Sequence, residues 1–493
     1  MRSLEEMLVS GSDSRLKVDT KTGLNRYGCS PAPCLDTHSF SSSTASSISP
    51  EAFRRVQAEY ESFQTASCPK RKLDTQMETL RQNLKRILGL PDTETEIVFS
   101  PSGTDSTLHA LSLIHALTGS LALDCLLTAS DETGSGVPLA LSGRHFSDRT
   151  SEGISVTPGE GIAGLGGEVT LISLPRRSAG GVLRPPSCLD QDIWEAAEHS
   201  AAAGRPVLLQ VMDSSKLGAS GPSAECLRHI QRRFSGLVYV IVDACQMRLS
   251  RERLKSHLDQ GHFVLSSGSK FFTGPPFSGA LLVPSAFATK LKTLPLSAPG
   301  LRDYTSRNAW PSSWTALRGS LPNRVNFGQY FRWTAALVEM EAYFAVPLEF
   351  RRRVLAEFET LTTALIQNQA PDFLLLEANH SAEHQDGSEM DARTIFPFLV
   401  RHDSRWMSYA DTTTLYQALT AAHCHVGQPV RIPLRDGQDA GALRICADAR
   451  LVSQLWADAQ TNPRTVGLAS QRQQICEILA AARLAAQQIG SAA

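Results

Sequence analysis

What the chain lacks narrows its class first. Its 10 cysteines sit at scattered positions with no CxxC pair and no Cys/His cluster. That spacing favours neither a disulfide framework nor a zinc site, and free thiols suit a reducing cytoplasm. No apolar run approaches the roughly 20 residues needed to span a bilayer. The first residues, MRSLEEMLVSGSDSR, carry early acids and no apolar stretch of signal-peptide length. A cytoplasmic protein with no membrane partner is therefore expected. An excess of one charge is missing too: 48 Lys+Arg against 49 Asp+Glu leave a formal net charge of −1. Nucleic acid finds no basic surplus in such a chain, and a small molecule is the expected partner. No internal repeat is evident.

What is present is ordinary globular material in quantity. With 493 residues, 42% hydrophobic and 20% charged, the chain exceeds what one core supports, and two domains are expected. Residues 1–50 are rich in Ser, Thr, Pro and Gly and read as a surface arm. A second reading has the arm pack over an active site or a partner subunit. From Glu51 to Leu88 the spacing of Leu73, Met77, Leu80, Leu84 and Ile87 predicts a helix, stopped by Gly89 and Pro91. In EIVFSPSGTDSTLHALSLIHAL, Ile97 to Phe99 read as strand and Pro101 to Gly103 as a turn, with Ala110, Leu113, Ile114 and Leu117 on one helical face. The free amides at that helix start, with the Thr104 and Ser106 hydroxyls, make an anion site; the same residues also read as a plain helix cap.

Short apolar runs then alternate with helices: CLLTAS, EVTLISLP, PVLLQVMDSS and LVYVIVDA. This predicts a mostly parallel sheet covered on both faces, with ligands at the carboxyl ends of its strands. Glu132 and Thr133, Asp213 to Ser215, and Asp243 fall at such ends. After Pro284 come Pro-, Ser- and Trp-rich loops, then a long helix across FRWTAALVEMEAYF. Helices next alternate with the strand candidates TIFPFLVRH and ALRICA, and ANHSAEHQDGSEMDA reads as a loop. The expected organisation is an arm (1–50), a large domain (51–330), and a linking helix with a smaller C-terminal α+β domain (331–493).

The chemistry concentrates between Val242 and Pro284. A buried strand ends on the carboxylate of Asp243 in VDACQ, and Lys270 follows in SSGSKFFTGPP. A carboxylate for a pyridine nitrogen and a lysine for a Schiff base are two groups that pyridoxal phosphate requires of its protein. These motifs resemble those of the fold-type I pyridoxal phosphate enzymes, in the class V aminotransferase and cysteine desulfurase branch. The resemblance covers Ser100 to Arg444. It implies an α/β fold, with a mostly parallel sheet in a three-layer large domain and a smaller C-terminal domain. The implied cofactor is pyridoxal 5'-phosphate, and no metal is implied. Asp243 would hold the pyridine nitrogen protonated, Gln246 would contact the phenolic oxygen, and Lys270 would form the Schiff base. The phosphate would fall to Gly103, Thr104, Ser267 and Ser269, the last standing where a histidine is usual. Thr133 occupies the position of the residue stacked on the ring. Ser214, Ser215 and Lys216 stand where asparagines and an acid commonly follow the next strand, with Ser215 expected at the cofactor. Ser320, in RGSLPN, resembles a residue reaching across a dimer interface to the neighbour's phosphate. Arg444, in ALRICA, would bind the substrate's α-carboxylate. A homodimer with shared active sites is thus implied.

Lys270 must give up a proton to become nucleophilic, which burial promotes, and its free amine is then placed to shuttle an α-proton. The expected activity is that of an aminotransferase or lyase acting at the α-carbon of an amino acid through an external aldimine. Two alternatives stay open: a carbon–carbon bond-forming or β-replacement enzyme of specialised metabolism, and a non-catalytic cofactor-binding scaffold or regulator. No cysteine occurs between Cys245 and Cys424, which disfavours the persulfide chemistry of a desulfurase. Cys424 is late enough to be tested, although a buried apolar role suits it better.

Overall fold

A computed structural model describes residues 2–34, 36–90, 95–119, 122–167, 169–378, 386–435, 437–462 and 467–491. Its strands are β1 (His38–Phe40), β2 (Glu96–Ser100), β3 (Leu123–Thr128), β4 (Val169–Leu174), β5 (Val207–Met212), β6 (Val238–Asp243), β7 (Phe263–Ser267), β8 (Gly279–Val283), β9 (Phe373–Leu375), β10 (Ile395–His402), β11 (Arg405–Trp406), β12 (Cys424–Pro433) and β13 (Asp439–Cys446). Seven of them form one sheet in the order β2-β8-β7-β6-β5-β3-β4. All neighbours in it are parallel except β8, which runs antiparallel to both β7 and β2.

The apolar runs feed two cores at once. Along β6, Val240 and Val242 enter the hydrophobic cluster on one face while Ile241 enters the cluster on the other; along β3, Leu126 faces the first and Cys125 and Leu127 the second. Side chains on a strand alternate faces, so a strand covered on both sides needs apolar residues at every position. Helix Pro186–Ala202 covers one face with Leu189, Ile193 and Ala197, and helix Gly103–Thr118 covers the other with Leu108, Leu111 and Ile114. The resulting large unit has three layers, as expected.

The second sheet has six strands in the order β1-β12-β13-β10-β11, with β9 added on β10. The strand candidates in TIFPFLVRH and ALRICA are its β10 and β13, paired antiparallel. Three departures from expectation stand out. The helix read from Glu51 to Leu88 is two helices, Pro50–Gln64 and Pro69–Ile87, because the Pro69 ring cannot continue a helix from its predecessor. Its proposed stop at Pro91 lies outside the described residues. Strand β12, around Cys424, was not foreseen.

The third departure matters most. Residues 40–49 are largely buried rather than on the surface. β1 pairs in parallel with β12, His38 opposite Cys424, and Ser41 to Ser46 are buried. Small hydroxyl side chains carry no apolar periodicity, yet they fit a narrow space where neighbouring backbone satisfies them. Upstream, the N-terminal residues are clamped to helix Phe327–Ala345. The buried Arg332 guanidinium donates to the carbonyls of Phe277 (2.8 Å), Leu8 (3.0 Å) and Ser10 (2.6 Å). Gly328 permits the close approach, since a Cβ there would collide with the Ser10 and Met7 carbonyl oxygens. No described helix is long and apolar enough to cross a membrane.

Replacing Arg332 with Met strands these carbonyls without a donor, and unpaired buried acceptors cost about 1–3 kcal/mol each. Denaturant unfolding of R332M should show a loss of about 2–4 kcal/mol, with faster amide exchange in residues 4–16. Wild-type stability in the variant would mean that the carbonyls are solvated instead.

Candidate functional site

A cavity of about 220 Å³ opens at the carboxyl ends of the parallel strands and is closed from above by the small sheet and the N-terminal segment. Strand β6 delivers Asp243 into it. The carboxylate is buried and accepts from the Cys245 backbone N–H at 3.2 Å and from Gln210 Nε2 at 3.3 Å. Burial raises its pKa above the usual carboxylate range, opposed by those hydrogen bonds and by the charge of Lys270. Lys270 follows β7 on the turn that leads to β8. Its amine donates to the carbonyls of Thr44 at 2.7 Å and Ser43 at 3.3 Å. Burial, with Arg444 and Arg15 nearby, lowers its pKa from 10.5 to about 8.

A second wall is the start of helix Gly103–Thr118, where Ser102, Gly103 and Thr104 line the cavity. Ser102 caps this helix by accepting from the Asp105 N–H at 3.2 Å. Gly103 is required by close approach, since a Cβ there would lie 2.5 Å from the Cys245 sulfur. Gly103 and Thr104 line the cavity beside Ser267 and Ser269, whose hydroxyls are 2.8 Å apart. Arg15, from the N-terminal segment, arrives at the same end. It forms a bidentate pair with Asp13, touches Ser102 Oγ at 3.2 Å, and lies over the Phe277 ring. A helix N-terminus with adjacent hydroxyls and a guanidinium suits a phosphate.

The third wall joins distant parts of the chain. Arg444, on β13, donates to Ser43 Oγ at 2.9 Å and Thr44 Oγ1 at 2.8 Å. Gln246 Nε2 donates to the Ser43 carbonyl at 3.1 Å. Burial lowers the Arg444 pKa to about 10.

Of the residues singled out from sequence, Gly103, Thr104, Thr133, Asp243, Gln246, Ser267, Ser269, Lys270 and Arg444 all border this cavity. Two do not. The Ser215 hydroxyl is turned into its own loop, where it donates to Glu132 and accepts from the amides of Leu217 and Ala219, and its neighbours Ser214 and Lys216 face the cavity instead. Ser320 ends the short helix Thr315–Ser320, half-buried and away from the cavity. Cys424 starts β12 and packs in the core. Ser43, Thr44 and Arg15 were missed as site residues, because nothing in a Ser/Thr-rich stretch distinguishes a buried turn from an exposed one.

Four buried polar atoms on cavity-lining residues have no hydrogen-bond partner among the described residues: Thr133 Oγ1, Ser214 Oγ, Gln246 Oε1 and Arg444 Nη1. Orphaned buried polar groups are rare in folded proteins and point to a ligand that satisfies them. With a carboxylate, an amine and an anion cradle around one cavity, the set fits the pyridoxal phosphate that the motifs implied.

No family model matches the chain, and no curated protein matches its sequence. Solved structures share its fold. The cystine C–S lyase C-DES in complex with its reaction product cysteine persulfide is 17% identical over 86% of this chain and 97% of that one, with a TM-score of 0.52. A NifS-like protein is 14% identical over 85% and 99%, with a TM-score of 0.51. The cysteine desulfurase CsdA of Escherichia coli is 14% identical over 90% and 94%, also with a TM-score of 0.51. At such identities the likeness is one of fold. The fold-type I architecture implied by the motifs is the architecture of the chain.

A lowered amine pKa puts the reactive neutral form of Lys270 at lower pH. Reductive methylation by formaldehyde and cyanoborohydride, read by peptide mass spectrometry, should rise at Lys270 through pH about 8, while exposed lysines respond nearer their ordinary value of about 10.4. A Lys270 profile that follows the exposed lysines would contradict the burial argument.

Proposed function

We propose that the cavity holds pyridoxal 5'-phosphate and that the protein is an enzyme acting at the α-carbon of an amino acid, as an aminotransferase or lyase. The observation that carries this reading is that one cavity is lined by both the buried Asp243 carboxylate and the Lys270 amine, whose pKa is lowered to about 8. When bound, the cofactor supplies an electron sink for a carbanion at Cα. The chain supplies the rest. Asp243 holds the pyridine nitrogen protonated, and the amides at Gly103 and Thr104, with Ser267 and Ser269, bind the phosphate. Gln246 Oε1 and the Thr133 hydroxyl gain the partner they lack. Arg444, which lines the same cavity as Lys270, would orient the substrate through its α-carboxylate. The Lys270 amine would take and return the proton at Cα.

On this reading residues 51–330 form the cofactor-binding domain and 331–493 the linking helix and small domain. Cys245 is the cavity's cysteine among the described residues, and burial and the adjacent Asp243 hold its thiol far above the thiolate range. We therefore favour the aminotransferase or lyase reading over sulfur transfer by a cysteine. The place of Ser320, outside its own chain's cavity, suits a homodimer in which it approaches the neighbour's site. The cysteines left free suit a reducing cytoplasm.

The purified protein with added cofactor should show a visible absorption band that borohydride bleaches and that is missing from Lys270→Ala. A wild type with no such band overturns the proposal. A band that no member of an amino-acid panel perturbs would favour a non-catalytic scaffold. Sedimentation of the wild type should give a dimer at micromolar concentration, and a monomer there would remove Ser320 from the site.

A further inference from the structure

Lys216 was noted in the sequence only as a departure, and the proposed chemistry leaves it without a task. The turn after β5 aims it. Ser215 N–H donates to the Ala219 carbonyl at 2.8 Å, Gly218 N–H returns to the Ser215 carbonyl at 3.1 Å, and the Ser215 hydroxyl takes the amides of Leu217 and Ala219. The Lys216 backbone is held as well, its N–H donating to the Glu132 carbonyl at 3.3 Å. A loop fixed at so many points has little freedom to swing its side chain away, and Lys216 faces the cavity with Arg444, Lys270 and Asp243 around it. Burial and the Arg444 charge lower the Lys216 ammonium to about 7.

Among the described residues, the Lys216 ammonium has no hydrogen-bond acceptor and no carboxylate within ion-pair distance. Of the other charges of the cavity, Arg26 is exposed to water and lies over the Tyr27 ring, and the rest have partners on the protein or in the proposed reaction. Arg15 is paired with Asp13. Glu132 is paired with Arg177 at 2.5 Å and bonded by Ser215. Asp243 is matched by the ring nitrogen, the helix N-terminus by the phosphate, and Arg444 by the α-carboxylate. Lys216 is thus the cavity's unpaired cation that is withdrawn from water, half-buried and next to another cation, where an unpaired charge is costly. That cost falls when a ligand brings one more negative charge than a neutral amino acid carries.

We infer that Lys216 is a specificity-determining residue, and that the preferred substrate is an amino acid with an acidic group on its side chain. The inference rests on the proposed cofactor reading and assigns Lys216 to the distal acid, with Arg444 on the α-carboxylate. Binding of the acid draws the Lys216 amine toward its protonated form, so the pair forms only in the complex.

The test is a spectral titration of the cofactor-loaded, full-length protein, read as a dissociation constant rather than a rate. L-aspartate, L-glutamate and O-phospho-L-serine are compared with L-asparagine, L-glutamine and L-serine. At least one acidic probe should bind about tenfold or more tighter than its neutral counterpart, as expected for a charge-assisted hydrogen bond in a partly desolvated site. Lys216→Met should abolish that preference while changing the affinity for the neutral probe less than about threefold, and Lys216→Arg should retain it in part. A second neutral variant, Lys216→Gln, serves if Met disturbs the turn. A wild type that binds acidic and neutral probes alike overturns the inference. So does a Lys216→Met variant that loses affinity for both equally, since Lys216 would then share the α-carboxylate with Arg444. In both cases the visible band survives; its absence from the wild type would instead strike the cofactor reading itself.

Discussion

The structure turns on one dipeptide. The backbone and hydroxyls of Ser43 and Thr44 receive Lys270 from the turn after β7, Gln246 from the loop after β6, and Arg444 from β13. Long side chains lose considerable rotamer freedom on being fixed, and here the fixing is shared through a common set of acceptors. The space left is small: a Cβ at Gly427 would sit 2.6 Å from Arg444 Nε and 2.8 Å from Ser43 Oγ. This contact joins the seven-stranded sheet to the small one, because Ser43 and Thr44 continue directly from β1, itself a strand of the small sheet.

The electrostatics follow from the same enclosure. Withdrawal from water disfavours the charged form of any group, so Lys216, Lys270 and Arg444 are lowered while Asp243 and Glu132 are raised. Opposite shifts among neighbours around one cavity are the pattern of a site that exchanges protons with its ligand. A solvated cluster of the same residues would leave each near its ordinary value.

Much of this was legible before any coordinates. Val240, Ile241 and Val242 announce a strand covered on both faces because every position is apolar, and Asp243 marks its end because a charge stops such a run. The resemblance of VDACQ and SSGSKFFTGPP brought nine expected residues to one cavity. What escaped was of two kinds. Contacts between residues some 400 positions apart, such as Arg444 with Thr44, leave no local period, and hydroxyl-rich sequence looks alike whether buried or exposed. The rotation of a tight turn is equally silent: Ser215 looked inward by its position in the motif, but the turn directs its hydroxyl to Glu132 and sends Ser214 and Lys216 into the cavity.

The pairing of β1 with β12 has a consequence for the order in which the protein can be made. The ribosome releases His38 long before Cys424, its partner in register, so residues 38–49 must wait, unpaired, for almost the whole of synthesis. Contacts this distant in sequence are slow to form and leave edges exposed in the meantime. An apolar strand held in that state would invite aggregation, whereas the run SFSSSTASS stays compatible with water until its partner arrives. The hydroxyls that line the finished cavity thus also let the nascent chain wait for it.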